Sequence, residues 1–151
     1  MYNPNQIANY FLHNYSDDPN MTPMKLIKLV YIAHGWHLGL DKGPLINEAP
    51  QAWKYGPVIP SLYYRFKKYK DQKIDEIPDG NDIPQDADLS SFIDELWGVY
   101  GRYDGIQLGA KTHQVGTPWY IVWNNVVNDP FKHNLEIPND LIKSHYRKLA
   151  V

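Results

Sequence analysis

Apolar residues recur at helical spacing along most of this chain. Ile7, Ala8, Phe11, Leu12 and Tyr15 fall on one face of a helix predicted over residues 4–15. Asn3 can cap that helix, and Pro4 suits its first turn, where no N–H is needed. Residues 16–20, SDDPN, break it. Thr22 and Pro23 repeat the cap-and-proline signal for a second helix. There Leu26, Ile27, Leu29, Val30, Ala33, Trp36, His37 and Leu40 cover more than one face. A helix apolar over so much of its surface belongs at the centre of a fold.

Residues 45–59 read differently. Pro44, Pro50, Pro57 and Pro60 exclude a long helix and leave short extended pieces or a small hairpin, one piece ending near Trp53. Pro60 opens a third helix with Leu62, Tyr63 and Phe66 inward and a basic end, Arg65, Lys67, Lys68 and Lys70. Residues 71–88 hold seven acidic residues and one lysine, with Pro78, Gly80 and Pro84, which predicts a solvated and partly mobile acidic loop. Helices are then predicted over residues 89–103, 105–113 and 118–127, and a last one from Pro138 and Asn139 to near Leu149. The expected architecture is a mainly α, single compact helical domain spanning residues 1–151, with at most a small β-hairpin.

Composition narrows the function classes. At 151 residues one core is expected. The 5 Trp, 12 Tyr and 4 Phe can fill it despite the short chain, or serve an interface. A net charge of −2 makes no electrostatic case for nucleic acid or an anionic membrane. The absence of cysteine excludes disulfides, thiolate metal sites and thiol nucleophiles, and agrees with an expected cytoplasmic location. The N-terminal segment lacks the basic and apolar regions of a signal peptide, and no stretch is apolar enough to span a bilayer, so no membrane partner is expected.

Catalytic chemistry finds little support. His34 and His37 share a helix face, and Asp41 could complete a metal set, but no demanding zinc pattern surrounds them; no metal and no cofactor are expected. No GxSxG elbow and no phosphate-binding glycine loop occurs. The basic end of the third helix is where the helix dipole favours cations anyway, and the acidic loop after it can fold back on it.

One segment resists a bland reading. AWKYGPVIPSLY, residues 52–63, sets Trp53 and Tyr55 against Gly56, Pro57 and Pro60. Gly56 permits a positive φ and Pro57 fixes the next residue, so the result is a stiff corner. Such a corner can turn the chain into the third helix, or hold aromatics for docking at little entropic cost. Lys28, Trp53, Lys54, Tyr55, Gly56 and Pro57 are the candidate partner-binding residues. Strand alternation predicts one face for Trp53 and Tyr55.

This corner, the preceding KLIKLVYIAHGWHLG (residues 25–39) and the later THQVGTPW (residues 112–119) together resemble the Panacea domain, also called SocA-like or phage-associated GepA-like. The resemblance runs from about Ile7 to Trp123. It implies a small helical cytoplasmic protein that acts as an antitoxin. The implied partner is a protein toxin encoded by an adjacent gene, neutralised by direct contact. A second implied role is an adaptor, encoded by a phage or prophage, that passes its partner to a cellular protease. No catalytic residue or cofactor attaches to the family. Tyr31, Trp36, Thr112, His113, Pro118 and Trp119 match its motifs and are expected to be structural, with His113 hydrogen-bonded and packed near Trp119. Ile27, His34, His37 and Gly109 stand where the family more often has Gln, Gln, Tyr and Ser.

Overall fold

The computed structural model describes residues 1–126 and 135–151. Seven α-helices, two single-turn 3-10 helices and a three-stranded sheet make up its regular structure among those residues. α1 (Pro4–Asn14) carries the capping box that Asn3 and Gln6 form at its start. α2 (Pro23–Gly39) begins at Thr22, whose hydroxyl accepts the Lys25 backbone N–H. Both helices start where their cap residues predict.

α2 is the axis of the molecule. Leu26, Leu29, Val30, Tyr31, Ile32 and Ala33 are all buried. The helix is enclosed by α1, by α5 (Gly105–Thr112) and by α7 (Asn139–Leu149). Its wide apolar surface is therefore matched by neighbours on several sides. α7 joins at two glycines, because the ring and backbone of Tyr146 occupy the space a side chain at Gly35 or Gly39 would need.

β1 (Gln51–Trp53) and β2 (Gly56–Val58) form the expected hairpin, in register Gln51 to Val58, Ala52 to Pro57 and Trp53 to Gly56. β3 (Leu135–Glu136) adds a third antiparallel strand on the other side of β1. β2 is thus an edge strand, the position in a sheet that tolerates Pro57. α3 (Pro60–Phe66) follows directly and buries Leu62 and Phe66. α4 (Ala87–Tyr100) is capped by Asp86 and α6 (Pro118–Val126) starts at Pro118. The expected end of α6 at Val127 lies outside the described residues.

The acidic segment between α3 and α4 is pinned at two points. Ile74 and Ile83 are buried, and the Ile74 N–H donates to the Met21 carbonyl at 2.9 Å. Glu76 folds back on the third helix, accepting from Arg65 at 3.0 Å and from the Tyr69 hydroxyl at 2.8 Å. Among the described residues Lys67, Lys68 and Lys70 form no ion pair with it, so the expected fold-back on the basic end is seen there at Arg65. No described helix is long and apolar enough to cross a membrane.

Candidate functional site

The hairpin turn separates two side chains that strand alternation would pair. β1 ends at Trp53, and Lys54 and Tyr55 form the turn. Neither has a positive φ; the left-handed residue is Gly56, at φ 125°. Trp53 is half-buried, while Tyr55 is 72% exposed. The expectation of a shared face fails because alternation stops where the strand does.

Trp53 is fixed on three sides. Its indole N–H donates to the Gln51 side chain at 2.9 Å. Its ring meets Tyr63 edge-on, with centroids 4.9 Å apart. Its carbonyl accepts from the Trp119 indole at 2.6 Å. Trp119 in turn stacks on Trp123 and meets the ring of His113 edge-on at 5.6 Å. The late motif thus braces the corner from α6. His113 is exposed, and its side chain makes no hydrogen bond among the described residues, so only the packing half of its expected role is present.

Lys28 ties the corner to α2. It is only 4% exposed, and its ammonium donates to the Pro57 carbonyl at 2.7 Å. Burial pulls its pKa down to about 8, because desolvation disfavours the charged form. Gly56 has a steric reason as well as a conformational one: a Cβ there would sit 3.1 Å from Lys28 Nζ. Sequence spacing alone gives no sign of this contact, which spans 29 positions.

Around the corner lies a cleft of about 470 Å³. Its apolar walls include Met24, Ile27, Trp53, Val58 and Tyr63, and Tyr55 stands at its edge. Four lysines also line it: Lys28, Lys54, Lys67 and Lys70. Among the described residues no carboxylate does. Lys54 and Lys67 lie over the rings of Tyr55 and Tyr64, at 5.4 and 5.2 Å from the centroids. Of the candidate partner-binding residues, the structure brings Lys28, Trp53, Lys54 and Tyr55 to the cleft, while Gly56 and Pro57 shape the turn behind it. Lys67 and Lys70 were not among them. Their signal in the sequence was a basic helix end that the helix dipole already explains.

The other motif residues make contacts within the fold. Tyr31 is buried, with a hydroxyl that has no hydrogen-bond partner among the described residues. Trp36 donates to the Tyr100 hydroxyl at 2.8 Å and meets Tyr146 edge-on. Thr112 bonds back to the Leu108 and Gly109 carbonyls, and Pro118 is buried at the start of α6. His34 is a structural tie. Its Nδ1 accepts the Leu45 N–H at 3.2 Å, so Nε2 carries the proton and donates to Asn139 Oδ1 at 2.9 Å. His37 donates from Nδ1 to the Gly43 carbonyl. Among the described residues no three His, Asp or Glu side chains gather as a metal set.

Residues 26–120 match the family model described as Antitoxin SocA-like, Panacea domain. The chain belongs to the SocA-like Panacea family. Antitoxin SocA of Caulobacter vibrioides (strain NA1000 / CB15N) is 33% identical over 141 residues, which cover 86% of this chain and 74% of that protein. No solved structure gives a significant match. The Panacea match takes in most of α2, the hairpin corner and the Thr112–Trp119 brace, so most of the cleft lining lies inside the family region; Pro23 and Met24 of the cleft, and all of α1 and α7, lie outside it.

Proposed function

We propose that this chain is the antitoxin of a toxin–antitoxin pair, one that captures a protein toxin by direct contact and carries out no catalysis. Membership of the SocA-like Panacea family supports the class, and the relative named Antitoxin SocA supports it further. The observation that carries the binding site is the cleft at the Trp53 corner. It combines apolar depth, a rigid aromatic wall and an unbalanced set of lysines on one face. Rigid aromatics backed by packed neighbours are what protein interfaces use as anchors, since little freedom is lost on binding.

The toxin is expected from the reading frame adjacent to this gene. Co-expression of that product should arrest bacterial growth, and this chain should relieve the arrest. A Lys54→Glu, Tyr55→Ala double variant with an unchanged thermal midpoint should lose most of the relief. Full protection by that variant would remove the corner from the interface. A lifetime assay with purified protease separates neutralisation by contact from delivery: delivery shortens the life of the captured toxin, and contact alone does not.

A further inference from the structure

We infer that the cleft takes an extended stretch of partner polypeptide in which an Asp or Glu side chain reaches Lys28 and a neighbouring large apolar side chain packs between Met24, Trp53 and Tyr63. This rests on the corner being the partner site and adds the chemistry of what binds there.

The first support is the hydrogen bonding of Lys28. An ammonium has three N–H donors, and this one makes a single hydrogen bond among the described residues, to Pro57. A nearly buried cation with unused donors beside a cleft is completed by an anionic acceptor. A carboxylate from an occupant supplies both charge and acceptors.

The second support is the charge of the rim. Lys54, Lys67 and Lys70 line the same cleft and form no ion pair among the described residues. Glu76, in the acidic segment that follows them in sequence, goes to Arg65 and Tyr69 instead. Flanking acids on the occupant would meet these three cations, while a basic segment would be repelled.

The third support is length. A second cleft of about 320 Å³ shares Met24 and Lys70 with the first and continues to Gly105 and the exposed Ile106. The combined groove is longer than one side chain and suits an extended chain, which advances about 3.3 Å per residue. Asp71 and Asp104 line this far end, so the acids of the occupant belong at the corner end and its neutral or apolar residues at the Ile106 end.

The test uses the full chain and a short random-peptide library displayed with both peptide ends fused, so that no chain terminus supplies the carboxylate. Enriched peptides should carry Asp or Glu beside Trp, Phe, Leu or Met. An enriched peptide, synthesised with blocked ends, is then measured by fluorescence anisotropy. Lys28→Met and a Lys67→Glu, Lys70→Glu double variant should each weaken it by about tenfold or more, the scale of a lost charge-assisted hydrogen bond. The double variant stands outside the core, so it tests the inference even where Lys28→Met fails to fold. Enrichment without acids, or full affinity in the folded double variant, overturns the inference. If the whole partner protein is still lost by the Lys54→Glu, Tyr55→Ala variant in that case, the corner remains the binding site and only its acidic preference falls.

Discussion

Tyr146 lies across Gly35 so closely that a Cβ on residue 35 would come within 2.2 Å of its ring. The same residue blocks Gly39, where a Cβ would meet the Tyr146 Cβ at 2.7 Å and the Arg147 backbone at 3.0 Å. Two glycines one turn apart thus let α7 approach the central helix at backbone distance. Asp41, just past α2, adds ion pairs to Lys143 and Arg147 at the same junction. These pairs are largely exposed and contribute little beside the packing.

Gly35→Ala should therefore destabilise the protein. Overpacking costs about 1–3 kcal/mol, against a helix-propensity gain of about 1 kcal/mol for replacing glycine. With the ring unable to remain in place, a net loss of roughly 2 kcal/mol is expected in thermal or denaturant unfolding. Gly98→Ala is the matched control. Gly98 lies within α4 with nothing within 4 Å of its added Cβ, so the same substitution should stabilise by up to about 1 kcal/mol. Equal effects at the two sites would contradict the packing account.

Lys25 shows how a buried charge is held. It is 1% exposed, bonded to Asp18 and to the Gly101 carbonyl at 2.6 Å, with the Trp97 ring 4.8 Å away. Asp18→Ala leaves that ammonium without its counter-ion and should cost about 3–5 kcal/mol. Adding Lys25→Met in the same background should recover part of the loss, because the uncompensated charge is gone. A double variant less stable than Asp18→Ala alone would refute this.

Acid should weaken the fold through histidine. Burial lowers the pKa of His34, and also those of His37 and His145, below the ordinary value of 6.5. The unfolded chain then takes up protons that the folded chain refuses. The stability these groups retain is fully present above pH 6.5 and is lost as pH falls from there through their depressed folded values. The thermal midpoint should drop across that window. His34→Gln keeps a side-chain acceptor for the Leu45 N–H and removes the titration at that position. It should flatten the drop in part, leaving the share of His37 and His145. An unchanged pH profile would assign the acid sensitivity elsewhere.

Tyr55→Ala alone separates surface from scaffold. The ring is 72% exposed at the hairpin turn, so the thermal midpoint should hardly move. Toxin capture should weaken by roughly 2 kcal/mol, the scale of an interface anchor. Trp53→Ala should lower both, because that ring also supports Tyr63 and is itself fixed by Gln51. Calorimetry of binding, paired with melting curves for each variant, reads the two effects separately.

Local chemistry in the sequence determined where the elements begin and where the chain turns. Asn3, Thr22 and Asp104 cap helices with their own side chains, within a few residues of the groups they satisfy. Pro60 and Pro118 mark helix starts because their φ suits the first turn, and Gly56 marks the turn because it alone there adopts a positive φ. The broad apolar surface of α2 made its central place legible too. The WKYGPV corner was recognisable from its residues, and with it the family. Tertiary structure decided what surrounds the corner. Lys28 meets Pro57 across 29 positions, and His34 meets Asn139 across 105. Lys67 and Lys70 look like an ordinary solvated helix end until folding brings them beside Met24 and Trp53 and directs Glu76 to Arg65 instead. Caps and turns depend on neighbours in the chain, so they can be read along it; burial and charge balance depend on neighbours in space, which only the packed fold supplies.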